Sequence, residues 1–454
     1  MVIQTAIIAL PAVAALIVCL LRGPKQALLD IYLPTLFLLP HAFTWSISGQ
    51  FTFSEPTLLV IALFLLFQHQ SEWRWSATDF LLMGYLAMTV ISCGVTASYK
   101  LAENTALKEF CSIFLAYYVA RRTMGREQFA IEVAKRIGVL LTVVAIVSVY
   151  EFRMGQDLFF VPFASIFPLP AGNVVFRSGF MRTQGPFGHA MAQGFMMAVG
   201  FLIVCWLDWK GIWHDKLPFL PISKIRFLEL WVLAGLIMTI SLGDWIGAAG
   251  GVIVLFLFGT PNRKLAFALL IFCAVVFGPM IWSKFNAYMS VNMDAVADKT
   301  QQDVVYRNQL LQDYIPVVEE RPTWGWGMYY PVLDGMSSID NGYLFTALIF
   351  GVYALGLWVA ILLWNLIWLL GSGLRLPRDH PGASTAVVLG AIYVIIAICN
   401  TEGALLANSQ IVLLFFFVTG WSVALLKSKE LRMADAQVVA LPPATRFAFR
   451  RVMA

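Results

Sequence analysis

Residues 176–207 read FRSGFMRTQGPFGHAMAQGFMMAVGFLIVCWL. The second half of this stretch decides the fold. From Ala190 it is an almost unbroken apolar run, of the length that crosses ~30 Å of hydrocarbon as a helix. Similar runs recur along the 454-residue chain, which is 60% hydrophobic and only 13% charged, about half the charged share of a soluble domain. The runs are continuous and do not alternate as barrel strands do, and helices satisfy their own backbone polar groups inside lipid. The expected fold is therefore an all-α polytopic membrane protein. The opening run, VIQTAIIALPAVAALIVCLL at 2–21, lacks a basic flank in front and is followed by RGPK, so it is expected to be a retained span. The six cysteines sit in separate apolar runs without a CxxC pair, which suggests neither a disulfide framework nor a zinc site.

Window length gives about 12–13 transmembrane helices. Spans near 2–21, 27–47, 55–68, 78–97, 104–120 and 136–151 make an N-terminal unit over 1–151. A long loop over 152–187 follows, then a central unit over 188–282 with spans near 188–207, 227–242, 245–259 and 265–282. A larger loop over 283–341 leads into a C-terminal unit over 342–427, with spans near 342–370, 384–401 and 409–426, and a basic tail over 428–454. Placing RGPK in the cytoplasm puts the clusters around Arg121–Arg136, Lys210–Arg226, Arg263–Lys264 and Arg375–Arg378, and the tail, on the same side, as the positive-inside rule asks. Only Lys100, Lys108, Arg153, Arg177, Arg182, Lys284, Lys299, Arg307 and Arg321 fall outside or within a span. The N-terminus is thus expected outside and the C-terminus inside. The net charge of +5 belongs to loops beside anionic lipid and calls for no nucleic-acid partner.

The two long loops then share the outer face, and both are rich in aromatics and prolines (DLFFVPFASIFPLP; ERPTWGWGMYYPV), so they are expected to pack as a cap on the membrane. DLFFVPFASIF is a candidate for the membrane interface. In the second loop, YRNQLLQDYIPVVEE has helical spacing, with Leu310, Leu311, Tyr314 and Val318 on one face and Arg307 beside them. An ion pair of Arg307 with Asp313, Glu319 or Glu320, or snorkelling to water, would explain that arginine equally simply. Asp340 and Asn341 sit where the loop re-enters the membrane, where a helix N-cap is the competing explanation. Glu151, Asp244, Asn400 and Glu402 are further polar residues near the same face. Ionisable groups gathered on one side of a membrane protein are better read together as a site.

Arg177, Arg182 and Arg307 answer why cations are gathered before the quoted span. Arginine is the residue for bidentate phosphate recognition, so the expected substrate is an anionic head group at the outer surface, such as a lipid diphosphate. Asp340 and His189 are the available proton acceptors, although His189 also suits a helix start. VNMDAVADKTQQD offers Asp294, Asp298 and Asp303 without an EF-hand register, and no Walker loop or GxSxG elbow occurs, so no metal and no cofactor is expected.

Three stretches together resemble the bacterial O-antigen polymerase and O-antigen ligase superfamily, over most of the chain from about 136 to 427. RTQGPFGHAMAQG is similar to its Arg-x-x-Gly-x-Phe segment. RNQLLQDYIPVVEERPTWGWG resembles its outer-loop helix ending in Pro-x-x-Gly-x-Gly, here Pro322, Gly325 and Gly327. DNGYLFTALIFGVYALGL is similar to its His-Asn-x-x-Leu segment, with Asp340 where the histidine is expected, and TISLGDWIGAAGG carries Ser241 without the arginine that ligase-like members have beside it. Both departures favour the polymerase side.

The resemblance implies a glycosyltransferase-C-type enzyme of the bacterial inner membrane, acting on undecaprenyl-diphosphate-linked oligosaccharide at the periplasmic face, with flippase and chain-length regulator proteins as partners. On this reading the chain polymerises exopolysaccharide or O-antigen. Arg182 and Arg307 would neutralise the leaving diphosphate, and Asp340 would take or orient the acceptor proton. Asn341, Arg177 and His189 would bind substrate, and Trp324, Trp326, Tyr329 and Tyr330 would stack on sugars, an interfacial aromatic belt being the alternative for those four. A ligase is the alternative enzyme. A lipid-linked oligosaccharide transporter is a remoter one, kept open by Lys108 and Glu109 inside a span.

Overall fold

The computed structural model describes residues 2–46, 50–68, 73–167, 176–177, 179–260, 262–289, 299–333, 338–377 and 380–428. Asp294, Asp298, the Asp303 side chain and the tail from 429 lie outside them. Helices account for nearly everything else. The N-terminal unit holds α1 (Val2–Arg22), α2 (Pro24–Ala27), α3 (Leu33–Leu38), α4 (Ser54–Phe67), α5 (Ala77–Thr96), α6 (Tyr99–Glu109), α7 (Leu115–Thr123) and α8 (Glu127–Met154). The central unit holds α9 (Ala190–Trp209), α10 (Lys224–Met238), α11 (Leu242–Gly259) and α12 (Arg263–Met289), followed by the outer-loop helix α13 (Lys299–Glu320). The last unit holds α14 (Gly342–Phe350), α15 (Val352–Arg375), α16 (Pro381–Cys399) and α17 (Ser409–Leu426). Strand is confined to two short hairpins among the described residues, β1 (Trp45–Ser46) with β2 (Gln50–Phe51) and β3 (Phe176–Arg177) with β4 (Phe180–Met181).

Among the described residues, eight helices, α1, α5, α9, α11, α12, α15, α16 and α17, are long and apolar enough to cross a membrane, and the chain is a multi-pass membrane protein. The other five expected spans also coincide with helices, but shorter, broken or more polar ones. The span expected at 27–47 stops at Leu38, because Pro40 holds Leu39 in extended backbone. The one expected at 104–120 is split into α6 and α7 by a wider π turn over Phe110–Phe114, and 136–151 is the middle of the 28-residue α8, whose first turns are charged. α4 and α10 have only 14 and 15 residues. The continuous apolar run at 342–370 is interrupted at Gly351, where φ 87° and ψ 167° separate α14 from α15.

The innermost helices are α9, α16 and α17. Small residues let their neighbours approach: Gly200 lies against Leu141, Gly251 against Leu202, and Gly420 against the Tyr117 backbone. Trp206 and Trp421 meet edge to face at 6.1 Å, and the Trp206 indole donates to Ser384 Oγ at 3.2 Å. At one pole the basic clusters are paired with acidic partners: Arg121 with Asp79, Lys210 with Glu127, and Arg136 with Asp30 at 2.7 Å.

The two long loops share the opposite pole. DLFFVPFASIF packs partly on protein: Phe160 and Phe167 are buried against Phe43 and Phe53, with the Phe43 and Phe167 rings 4.7 Å apart, while Leu158 and Val161 are exposed. The larger loop is tied down through α13, whose Leu310, Tyr314, Val317 and Val318 bury against Ile339, Leu344 and Leu348. Leu311, expected on that face, is turned outward instead.

Candidate active site

The RTQGP segment is positioned by a carboxylate from beneath. Glu151, in the last turn of α8 and almost fully buried, accepts the backbone N–H groups of Gln184 at 2.8 Å and Gly185 at 3.1 Å. Gly185 takes φ 48°, and Gln193 of α9 fills the place its Cβ would need. Replacing Glu151 by Leu leaves two buried donors unmade, at a cost of about 1–3 kcal/mol each. Residues 176–188 are then expected to become cleavable in limited proteolysis of the detergent-solubilised protein while α8 and α9 stay protected.

This segment carries Arg177 and Arg182 onto the turn between α10 and α11. Arg182 Nε donates to the Thr239 carbonyl at 3.0 Å, Arg177 Nη1 to the Ile240 carbonyl at 3.3 Å, and the Thr183 N–H to the Met238 carbonyl at 3.3 Å. These are the carbonyls that a helix C-terminus leaves over, and cations suit them. Ile240 lies between them at φ 47°, a left-handed conformation that costs a β-branched residue about 1–2 kcal/mol. The two arginines therefore brace a strained turn in addition to placing positive charge at this pole.

The turn delivers Asp244 in the first turn of α11, buried against Gly194 of α9 where a Cβ would collide with its carboxylate. One residue earlier, Gly243 receives the carboxylate of Glu402 in the same way. Glu402 follows α16 and pairs with Arg307 of α13, Oε2 to Nη1 at 3.5 Å. The charges of Arg182 and Glu402 both act on Asp244, so two carboxylates, Asp244 and Glu402, lie between two arginines, Arg182 and Arg307. Arg307 makes no pair with Asp313, Glu319 or Glu320 among the described residues, and its Nε is buried without a hydrogen-bond partner.

Asp340 and His189 come together at the edge of this cluster. His189 caps α9, its Nδ1 accepting the Met191 N–H at 3.3 Å, which leaves the neutral ring's proton on Nε2. The surrounding protein and the Arg182 charge hold its imidazole below the ordinary range, opposed by Asp340. Asp340 accepts the Ser338 hydroxyl at 2.8 Å. Asn341 does cap α14: its Oδ1 accepts the N–H groups of Tyr343 and Leu344, each at 3.0 Å. Gly342 donates its N–H to the Asn400 carbonyl at 2.8 Å, and the fully buried Asn400 side chain lies over Gly342 with neither heteroatom hydrogen-bonded.

The aromatic quartet divides. The Trp326 indole donates to the Val317 carbonyl at 2.8 Å, and the Arg321 guanidinium sits 4.2 Å from its ring. That ring therefore serves the loop. The Trp324 carbonyl accepts the Ser92 hydroxyl at 2.5 Å, and Tyr330 packs beside α13. Tyr329 is the open one, 75% exposed.

Residues 227–359 match the family model described as O-Antigen ligase. Over this stretch the chain is similar to that family. The match supports the resemblance to the O-antigen ligase and polymerase superfamily, whose members are glycosyltransferase-like membrane enzymes. No curated protein matches the chain. The matched stretch runs from α10 into α15 and holds Asp244, Arg307, Asp340 and Asn341, whereas Arg177, Arg182 and His189 join it from the preceding loop and Glu402 from beyond α16. Sequence reasoning gathered Asp244, Asn400, Glu402 and Glu151 on one face and read them together as a site, but gave none of them a role of its own. The signal available was that each stands at a span end on one side.

Proposed function

We propose that the protein is a polysaccharide polymerase, transferring a growing glycan from undecaprenyl diphosphate onto a terminal sugar hydroxyl of an incoming lipid-linked repeat unit. The bond between the anomeric carbon and the phosphate oxygen breaks, the acceptor oxygen bonds to that carbon, the hydroxyl proton passes to Asp340, and undecaprenyl diphosphate leaves. Arg182 and Arg307 take up the charge that grows on the leaving diphosphate, so the counter-charge comes from arginine and no metal is invoked. Arg177 and His189 flank the donor, Asn341 fixes the backbone that presents Asp340, and Tyr329 and Trp324 offer ring faces to sugars.

One observation carries this reading. Arg307 is on α13, which packs on the Asp340 segment, and among the described residues it has a single long ionic contact and a buried Nε–H left over, which is a guanidinium prepared for a forked anion. The family description favours a ligase as the second reading, with the same donor chemistry and another acceptor. The gathering of charge at one pole speaks against a transporter, whose site would lie near the midplane. On the polymerase reading the pole is periplasmic, the membrane is the bacterial inner membrane, the N-terminus is periplasmic and the C-terminus cytoplasmic, and a flippase and a chain-length regulator are the partners that supply and meter the repeat units.

Asp340→Asn in the native host tests both. General-base loss costs about 10²–10⁴ in rate, so single repeat units are expected to accumulate on the lipid. Long polymer stranded on the lipid would establish the ligase, and an unchanged pool at normal protein level would remove Asp340 from the chemistry.

A further inference from the structure

Among the described residues, Glu402 is the acidic side chain paired with Arg307, and the pairing is weak in form. It is a single contact of 3.5 Å between side chains that are 27% and 21% exposed, so solvent reaches it and a ligand can. A guanidinium matched to its permanent partner uses two parallel N–H bonds; here Nε–H stays buried and unused. The Glu402 carboxylate also lies over Gly243 in the first turn of α11, whose backbone N–H favours its charged form, and the N-cap of that helix, Ser241, supplies no side-chain capping bond. In the same chain turn Asn400 is fully buried with both side-chain heteroatoms unsatisfied. A cation on one side, an amide N–H on the other and an unsatisfied carboxamide nearby describe an anion position.

We propose that Glu402 is a placeholder anion: in the empty enzyme its carboxylate occupies the position, between Arg307 and the start of α11, that one phosphate of the lipid diphosphate takes on binding. The inference rests on the reading of Arg307 as a diphosphate contact. A phosphate brings more charge than a carboxylate and offers oxygens to both Nη1 and Nε of Arg307, so it wins the exchange. Burial pushes the Glu402 carboxyl up against the pull of Arg307, which eases its protonation once the arginine is taken. The placeholder keeps the guanidinium oriented and its charge balanced while the site is empty, at the expense of some affinity.

The test is binding of undecaprenyl diphosphate in detergent micelles to the full-length protein, which separates affinity from chemistry. Glu402→Gln keeps the shape over Gly243 but removes the competing charge, so the lipid diphosphate is expected to bind about two- to fivefold more tightly, the competition that a partly exposed ion pair supplies. Arg307→Ala should lose most binding, and the double variant should match Arg307→Ala, because the gain needs the arginine. Equal or weaker binding by Glu402→Gln overturns the placeholder and leaves the role of Arg307 standing. Full binding by Arg307→Ala overturns that role and the inference with it. Glu402→Ala makes the same comparison if the glutamine variant does not fold.

Discussion

Arg307→Ala is expected to lower kcat/KM for glycan transfer by about 10²–10³, the loss seen when one donor to a developing anion is removed from a poorly hydrated site. The expectation follows from where the residue stands. α13 is fastened to the membrane helices through Leu310, Tyr314 and Val318, and Arg307 is one turn earlier on that fastened face. Its guanidinium is thus delivered to Glu402 by a helix whose position is fixed by packing. Truncating it leaves Leu310 and Tyr314 in place, so the melting temperature in detergent should barely move while turnover collapses. Arg307→Lys should recover only part of the rate, since an ammonium supplies charge without the planar fork. Membranes carrying Arg307→Ala that incorporate repeat units at the wild-type rate would remove the arginine from the mechanism.

Gly351→Ala is expected to cause the largest loss of stability, about 3 kcal/mol or more. Gly351 holds φ 87° and ψ 167°, a region open to glycine and strained by about 1–3 kcal/mol for any other residue. Its missing Cβ also makes room for backbone: the Thr323 and Pro322 carbonyls pass where a methyl would stand. The reverse fit occurs at Gly325, φ 69°, which faces the carbonyls of Leu348 and Ile349. Between them Val352 donates to Pro322 and Trp326 to Leu348, both at 2.8 Å. Alanine at 351 must push the loop off, so a lowered melting temperature and fast proteolysis at α13 are expected. Gly356→Ala, where a Cβ meets nothing, is the control and should stay within about 0.5 kcal/mol of wild type. Wild-type melting of Gly351→Ala would mean that this docking does not hold the cap.

The same positions show what the sequence made legible. Apolar run length located a helix for every expected span, because crossing hydrocarbon leaves one solution to backbone hydrogen bonding. It could not show the break at Gly351, since the run at 342–370 is apolar throughout and the interruption comes from a loop docking on it. Charge sidedness put Arg182, Arg307 and Asp340 at one pole. It did not pair Arg307 with Glu402, because partners distant in sequence meet only through the packing of α11, α13 and α16. The aromatic run around Trp326 was ambiguous for a related reason: a sugar platform and a ring tied to Val317 have the same composition, and only the indole's hydrogen bond distinguishes them.

Glycines at 194, 243 and 342 each leave a notch on one helix that receives a polar side chain from another, Asp244, Glu402 and Asn400 respectively. The spacing of helix axes and the charge pattern of the site are therefore one variable. A bilayer thicker or thinner than these helices prefer is accommodated largely by tilt, and tilt of α11 against α16 moves Glu402 relative to Arg307 without any change in the loops. On the proposed function, turnover is then expected to depend on lipid composition, through the hydrophobic thickness beneath the site.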